Sequence, residues 1–587
     1  MNKILTSKLW WLFLLIVLLG INYLASVVHT RVDLTQEKRY TLSPATKKLL
    51  KGLHDKVNIT VLLTGDMPAG FKKLSNSTQE MLQEFKELAG SNIQFKFEKP
   101  GEGLSDTARE KMQLHLDSLG LKPTNIKVKA KAGEAQEERL VYPGALVKYR
   151  DREVAIDLLQ GQDMTGGVQS LNNAEALLEY KMARSIQKIT ADTVPAIGYL
   201  LGNGQPQTYN VFDLIEHSLR QEYRFGWVPI DSVPVIPTVF DALVIVKPTI
   251  PFTDKQKLKI DQYIMQGGKV IWLIDKLYAE MDSLMRSHSD FVAYDRNLNL
   301  DDQLFKYGVR INGDLVQDLQ CDKLPLVVGS YGNQPQMQLV PWPYFPTLSS
   351  YSGHAIAKNL DNVLSIFPNS IDTVKNNIRK TILLSTSENA RILPAPAIVT
   401  LNSIKTEDDL KTFNQSFIPV AVLLEGRFSS LYTNRLSTGL LDTLAGLYKQ
   451  PFRAATEKES KMIVISDADI VANVVTANEG PLPMGFNQFT NTQYANKDFF
   501  LNCIQYLTDT SGILETRSKD FALRLLDVKK TEDDRSTWQL MNIGLPVVLV
   551  LLFGFVYQAV RKRKYQGAGN VKRQTPTSSG QAVKGAS

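Results

Sequence analysis

One stretch limits what this chain can fold into more than any other. It is the apolar run Met541–Val560, followed at once by Arg561, Lys562, Arg563 and Lys564. A helix needs about 20 apolar residues to cross the hydrocarbon core of a bilayer, and this run supplies them. The basic cluster marks the C-terminal side as cytoplasmic, because Lys and Arg at membrane ends set orientation. Ahead of the run lies Thr531-Glu532-Asp533-Asp534-Arg535. A buried core helix would be shorter or amphipathic. The reading is a membrane span at 541–560, with everything upstream on the opposite face of the membrane.

Net charge supports that topology. The chain carries +7, and residues 561–587 hold Arg561, Lys562, Arg563, Lys564, Lys572, Arg573 and Lys584 with no acid. The 560 residues before them balance, 60 basic against 60 acidic. The basic excess is thus a topology signal and an anionic-lipid contact rather than a nucleic-acid footprint. The tail is rich in Gly, Ser, Thr, Gln and Lys, a composition that predicts a disordered segment at 561–587.

A second apolar run, Leu9–Val28, follows Lys3 and Lys8 and opens on the interfacial pair Trp10-Trp11. A cleaved signal peptide has a shorter apolar region and a small-x-small site, and Ala25-Ser26-Val27 serves that purpose poorly. An uncleaved span at 9–28 is the better reading. It leaves a cytoplasmic N-terminus at 1–8 and roughly 510 residues outside the cytoplasm. The localisation expected is a bacterial inner membrane, with two spans, both termini cytoplasmic and the bulk periplasmic.

Between the spans, periodicity predicts two α/β domains. In the first, at 30–190, Ser43-Pro44 starts a helix. Val57–Leu63 alternates as a strand, and Ser77–Leu88 places Met81, Leu82, Phe85 and Leu88 at helical spacing. Strands are expected at 93–98, 126–131 and 139–157, with helices at 107–119 and 173–189. The second domain, at 194–515, opens on the buried strand Ala196–Leu201, then a helix at 211–222 and a strand at 241–246. Thr253-Asp254-Lys255-Gln256 is a capping box, Gly267-Gly268 stops that helix, and Val270–Asp275 is the next strand. Strand–helix–strand order at this spacing predicts a parallel, doubly wound sheet. Lys461–Ser466 is a late strand and Asn496–Leu507 a helix; 516–540 reads as a linker.

Chemistry is sparse. Gly202-Asn203-Gly204 ends a strand where such sheets bind ligands, yet it lacks the third glycine of a dinucleotide fingerprint and reads better as a tight turn. Gly267-Gly268-Lys269 is no Walker loop, because Val270 stands where Ser or Thr is needed. Asp467-Ala468-Asp469 at a strand end either holds a cation or braces a turn. The ligand-binding candidates are therefore Gly202, Gly204, Asp275, Asp467 and Asp469. Neither Cys321 nor Cys503 has a nucleophile setting, and sequence leaves their pairing open. No HExxH or GxSxG occurs, so no enzyme, metal or cofactor is expected. Pro341–Pro346 reads as a rigid loop whose Trp342, Tyr344 and Phe345 either meet a partner or plug their own core.

Several stretches together resemble the gliding-motility-associated ABC transporter auxiliary family, GldG. They are RVDLTQEKRYTLS (31–43), LVPWPYFP (339–346), ILLSTSENAR (382–391), IPVAVLLEGRFSSLYTNR (418–435), VISDADIVANVV (464–475) and FFLNCIQYLTD (499–509). The resemblance spans nearly the whole chain. It implies a non-enzymatic periplasmic subunit that assembles with a multispan ABC permease and a cytoplasmic ATPase, supporting gliding and surface-protein secretion. It also implies that the second domain, a Rossmann- or flavodoxin-like doubly wound sheet by its pattern, is similar to one in intraflagellar-transport proteins and to class I amidotransferases, without their catalytic residues. The alternative is a periplasmic ligand-binding module, or a catalytically dead amidotransferase-like domain, feeding a transporter.

Overall fold

A computed structural model describes residues 15–20, 22, 41–65, 67–121, 123–129, 136–159, 168–282, 290–331, 334–401, 407–518 and 535–566. The chain divides into two units, Met1–Phe521 and Ala522–Ser587. Of the expected span at 9–28, only 15–20 and 22 are described, as helix. Trp10 and Trp11, the acidic segment 531–534 and the tail beyond 566 lie outside the described residues.

The first unit opens with helix α1, Pro44–Lys51, where the Ser43 hydroxyl accepts from the Thr46 N–H at 3.1 Å and Pro44 presets the first turn. Strand β1, Val57–Val61, lies beside β2, Ile93–Phe97. They are joined by α2, Ala69–Ala89, whose Phe71, Leu74, Thr78, Leu82 and Phe85 recur every three or four residues and are buried. Strands β3, Gly144–Tyr149, and β4, Arg152–Asp157, complete the sheet in the order β2-β1-β3-β4. The helix expected at 173–189 is two, Val168–Ala176 and α3, Leu178–Thr190, which meet at Leu177. Met182 and Ile186 of α3 pack with Val57, Ile59, Leu82 and Phe85 into one core.

A seven-stranded sheet follows. Its strands are β5 (Ala196–Leu201), β6 (Arg224–Pro229), β7 (Ala242–Val246), β8 (Lys269–Leu273), β9 (Arg379–Ser385), β10 (Pro419–Gly426) and β11 (Ser460–Ile465), in the order β9-β10-β11-β8-β7-β5-β6. The pairs β5/β6, β5/β7, β7/β8 and β8/β11 are parallel; β10 runs against both β11 and β9. The chain turns from one direction across the sheet to the other between β5 and β7, so that point is its topological switch.

Both faces are covered, which is why these strands read as continuous apolar runs. On one side Tyr199, Val244, Ile271 and Ile463 meet Leu214, Phe499 and Cys503; Phe499 and Cys503 belong to α5, Asn496–Thr508. On the other, Leu243, Trp272 and Val464 meet Ile260, Tyr263 and Ile264 of α4, Asp254–Met265. The capping box at Thr253 and Gln256 forms as expected. The helix at 211–222 is interrupted by one wide turn over Ile215–Leu219.

The Pro341–Pro346 segment is strand rather than loop. It lies within Gln334–Leu348, which pairs antiparallel with Cys321–Tyr331. Proline's fixed φ suits extended backbone, and on the side away from Cys321–Tyr331 the segment is bonded through its carbonyls, with Pro346 accepting the Ser365 N–H and Tyr344 the Phe367 N–H, both at 3.0 Å. Trp342, Tyr344 and Phe345 are buried around Phe367, with the Trp342 and Phe367 centroids 5.6 Å apart. Trp342 Nε1 donates to the Thr400 carbonyl at 3.2 Å and Tyr344 Oη to that of Ile398 at 3.1 Å. The partner surface expected of these rings is corrected: they plug their own domain's core. Cys321 is half-buried, Cys503 is buried, and both are free thiols.

In the second unit, α6 runs Arg535–Gln566 and includes Pro546. At 1.5 Å per residue it is about 48 Å long, enough for the hydrocarbon core and part of both headgroup layers. Among the described residues, Ser536–Arg563 is the one helix long and apolar enough to cross a membrane. It contains the run 541–560 and ends in the basic cluster; Lys564 lies within α6.

Candidate functional site

In open parallel sheets ligands gather outside the carboxyl ends of the strands. Here that edge is occupied by a charge cluster. Lys247 directly follows β7, in a left-handed conformation at φ 45°, and its N–H donates to the Leu273 carbonyl at 2.9 Å. Its ammonium lies 2.5 Å from Asp469 Oδ1, 3.1 Å from Glu280 Oε2 and 3.2 Å from Asp275 Oδ2. Glu280 Oε1 in turn accepts from Arg296 Nη2 at 2.5 Å.

The backbone fixes the carboxylates. Asp275, two residues past β8, accepts the Ala468 N–H on Oδ1 at 2.6 Å. Asp467, just past β11, accepts the Asp469 N–H at 2.8 Å on one oxygen. Its other oxygen takes the Ile366 N–H at 2.7 Å and the Ser365 hydroxyl. Burial, with Asp469 and Asp275 nearby, pushes the Asp467 carboxyl well above the usual range. Burial also raises Asp469, to about 7, against the pull of Lys247 and with Asp275 and Glu280 adding to the rise. Burial disfavours the Lys247 charge, but Asp469, Asp275 and Glu280 outweigh it and hold the ammonium well above its ordinary pKa.

The structure therefore brings Asp275, Asp467 and Asp469 together and adds Lys247, Glu280, Arg296 and Ser365, which sequence reasoning missed. Lys247 left one signal, a lone cation ending the apolar run Ala242–Val246. Glu280 and Ser365 sit in irregular segments and left none.

Gly202 and Gly204 are braced elsewhere on the edge. The Asn203 carbonyl accepts the Thr249 and Ile250 N–H groups at 2.8 and 3.0 Å. Asn203 Nδ2 donates to Gln256 Oε1 at 3.0 Å, so the helix-capping glutamine also holds this turn. A Cβ on Gly202 would meet Ile230 Cγ2 at 2.6 Å, and one on Gly204 would meet Thr249 Oγ1 at 2.0 Å. The protein's own side chains fill the switch point.

A cavity of about 80 Å³ opens beside Asp469, lined mainly by apolar groups such as Phe345, Leu364 and Phe486. It has room for one small apolar group or a few waters. Neither thiol is poised as a nucleophile. Burial holds Cys503 well above the ordinary range, and burial with Asp318 and Asp322 pushes Cys321 up to about 12. Among the described residues, no group of three or more His, Cys, Asp or Glu is arranged to hold a metal ion.

Comparison with known proteins places this architecture. A family model described as an ABC-type uncharacterized transport system matches residues 194–503, and a domain of unknown function matches 36–148. No curated protein matches the chain. The solved mmIFT52 N-terminal domain is similar at 12% identity over 53% of this chain and 97% of that one, with a TM-score of 0.29, too low to bear an argument. The seven strands β5–β11 all lie within the matched 194–503 region, and the chain belongs to the auxiliary family of the ABC-type uncharacterized transport system.

Proposed function

We propose that this chain is a non-enzymatic accessory subunit of an ABC transporter-type complex, anchored by two spans with its α/β region in the periplasm. Its partners are a multispan permease and a cytoplasmic ATPase, and the complex supports gliding motility and surface-protein secretion. One observation carries the non-enzymatic part: the strand-end crevice is filled by Lys247 and the carboxylates of Asp275, Glu280 and Asp469. A catalytic or ligand site needs open, convergent groups there, whereas these carboxylates are turned onto Lys247. The two protonated thiols weigh the same way.

Family membership supports the transport role, and the apolar helix Ser536–Arg563 supports an anchor. Purification of the full chain from native membranes in mild detergent should bring a permease and an ATPase with it at fixed ratio. Recovery of a lone, stable monomer under several mild detergents overturns the reading.

A further inference from the structure

Away from the strand-end cluster, buried charge also lines a cavity of about 110 Å³ between the two α/β domains of the first unit. Asp157 of β4 and Lys181, Arg184 and Lys188 of α3 form one wall; Glu222, Asp498, Asn502 and Arg517 form the other. Four cationic side chains face three carboxylates. Arg184 and Lys188 are engaged by Glu222, at 2.5 and 3.6 Å, and Arg184 also donates to Tyr180 Oη at 2.8 Å. Lys181 Nζ donates to the carbonyls of Asp157 and Leu158 at 3.1 and 2.7 Å.

Arg517 is different. It is only 5% exposed, its Nη2 donates to the Lys358 carbonyl at 3.3 Å, and its guanidinium lies 4.9 Å from the Tyr180 ring centroid. Its buried Nε has no hydrogen-bond partner among the described residues. An unsatisfied buried donor is costly, more so when charged, and guanidinium is the group best shaped to bind oxyanions. Burial pushes the Asp498 carboxyl up, against the pull of Arg517, Lys181 and Arg184. Burial lowers Lys181 to about 8, so it is charged at neutral pH. The volume suits a few waters or one small polyatomic anion, and is too small for a nucleotide or peptide.

We infer that this interdomain cavity binds a small oxyanion, phosphate or carboxylate, between Arg517 and the Lys181 side of α3, and that the bound anion ties the two domains together. The test uses full-length protein in detergent, in phosphate-free buffer. Inorganic phosphate and acetate are titrated by calorimetry and thermal unfolding, with chloride at matched ionic strength as the control. Saturable heat and a rise in Tm are expected with one of the two oxyanions and not with chloride, and the anion that saturates identifies the class. Arg517→Gln should weaken that binding about tenfold or more. Saturation by neither anion, or unchanged binding in R517Q, overturns the proposal. Should R517Q fail to fold, Lys181→Met is held to the same criterion. The readout needs only this chain, so its failure leaves the transporter reading untouched.

Discussion

The Lys247 ammonium lies 2.5 Å from Asp469 Oδ1, joining the end of β7 to the segment that follows β11 across the intervening β8. One cation therefore ties non-adjacent strands where a doubly wound sheet commonly keeps its ligand. Its removal leaves Asp469 and Asp275 largely buried without a counter-charge, while Glu280 keeps Arg296. Breaking a buried pair by deleting one partner costs far more than the pair contributes net. Lys247→Met should destabilise the full-length protein by about 3 kcal/mol, read by denaturant unfolding. A change below about 0.5 kcal/mol would mean the cluster is solvated and the crevice open.

The same cluster sets a pH dependence with a definite sign. Burial raises the Asp469 carboxyl to about 7 in the folded protein, whereas an unfolded Asp titrates near about 3.9. The folded state thus binds this proton more tightly. The associated stability is fully present below the unfolded value and is lost as pH rises through about 7. Asp469→Asn cannot ionise, so its Tm should gain on the wild type as pH rises from about 4 to about 7. A Tm difference that stays flat across that window sinks the assignment.

Much of this architecture was legible before any coordinates, and the failures have physical causes. Strands β5, β7, β8 and β11 are covered on both faces, so their sequences are unbroken apolar runs that admit one reading. The Thr253–Gln256 box was equally plain because both partners are local. Pro341–Pro346 misled, since three prolines signal a loop, yet proline's φ is that of an extended strand. The aspartates at the strand ends were located correctly. Their significance was not, because it depends on Lys247 and Glu280, brought together by tertiary structure rather than by spacing. Met541–Val560 was legible because an apolar helix of spanning length is a local, compositional property.

Gly204 offers a test of the closed switch point. It adopts φ 73°, and a Cβ there would lie 2.0 Å from Thr249 Oγ1. Gly267 has φ 98° with nothing within 4 Å of the added carbon. Gly267→Ala should therefore cost only left-handed strain, about 1 kcal/mol. Gly204→Ala adds a steric clash and should cost about 2–4 kcal/mol. Thr249→Ala in the same chain should recover part of that loss by removing the hydroxyl. Equal costs at the two glycines would show that the turn is not packed against Thr249.

Trp342 separates a core role from a partner-surface role. Its ring is 1% exposed and its Nε1 is held by the Thr400 carbonyl. Trp342→Ala should destabilise by about 3–5 kcal/mol, through lost burial and the cavity left behind. The protein that does fold should still co-purify with its partners. Normal stability combined with lost co-purification would return this residue to the surface role.

Membrane attachment supplies the last prediction, because one helix and two helices behave differently when cut. The helix α6 alone would make the chain a tail-anchored protein, and removing residues 535–587 would then release everything upstream. With an uncleaved second span at 9–28, the same truncation remains in the membrane. An apolar run of about 20 residues holds a protein there far more firmly than an interfacial or single-lipid contact. We expect the 1–534 chain to sediment with membranes and to resist alkaline carbonate extraction. Deleting residues 1–28 as well should release a soluble protein. Release of the 1–534 chain alone would reduce the anchors to one. It would also remove the argument that two posts hold this α/β region against a membrane-embedded machine.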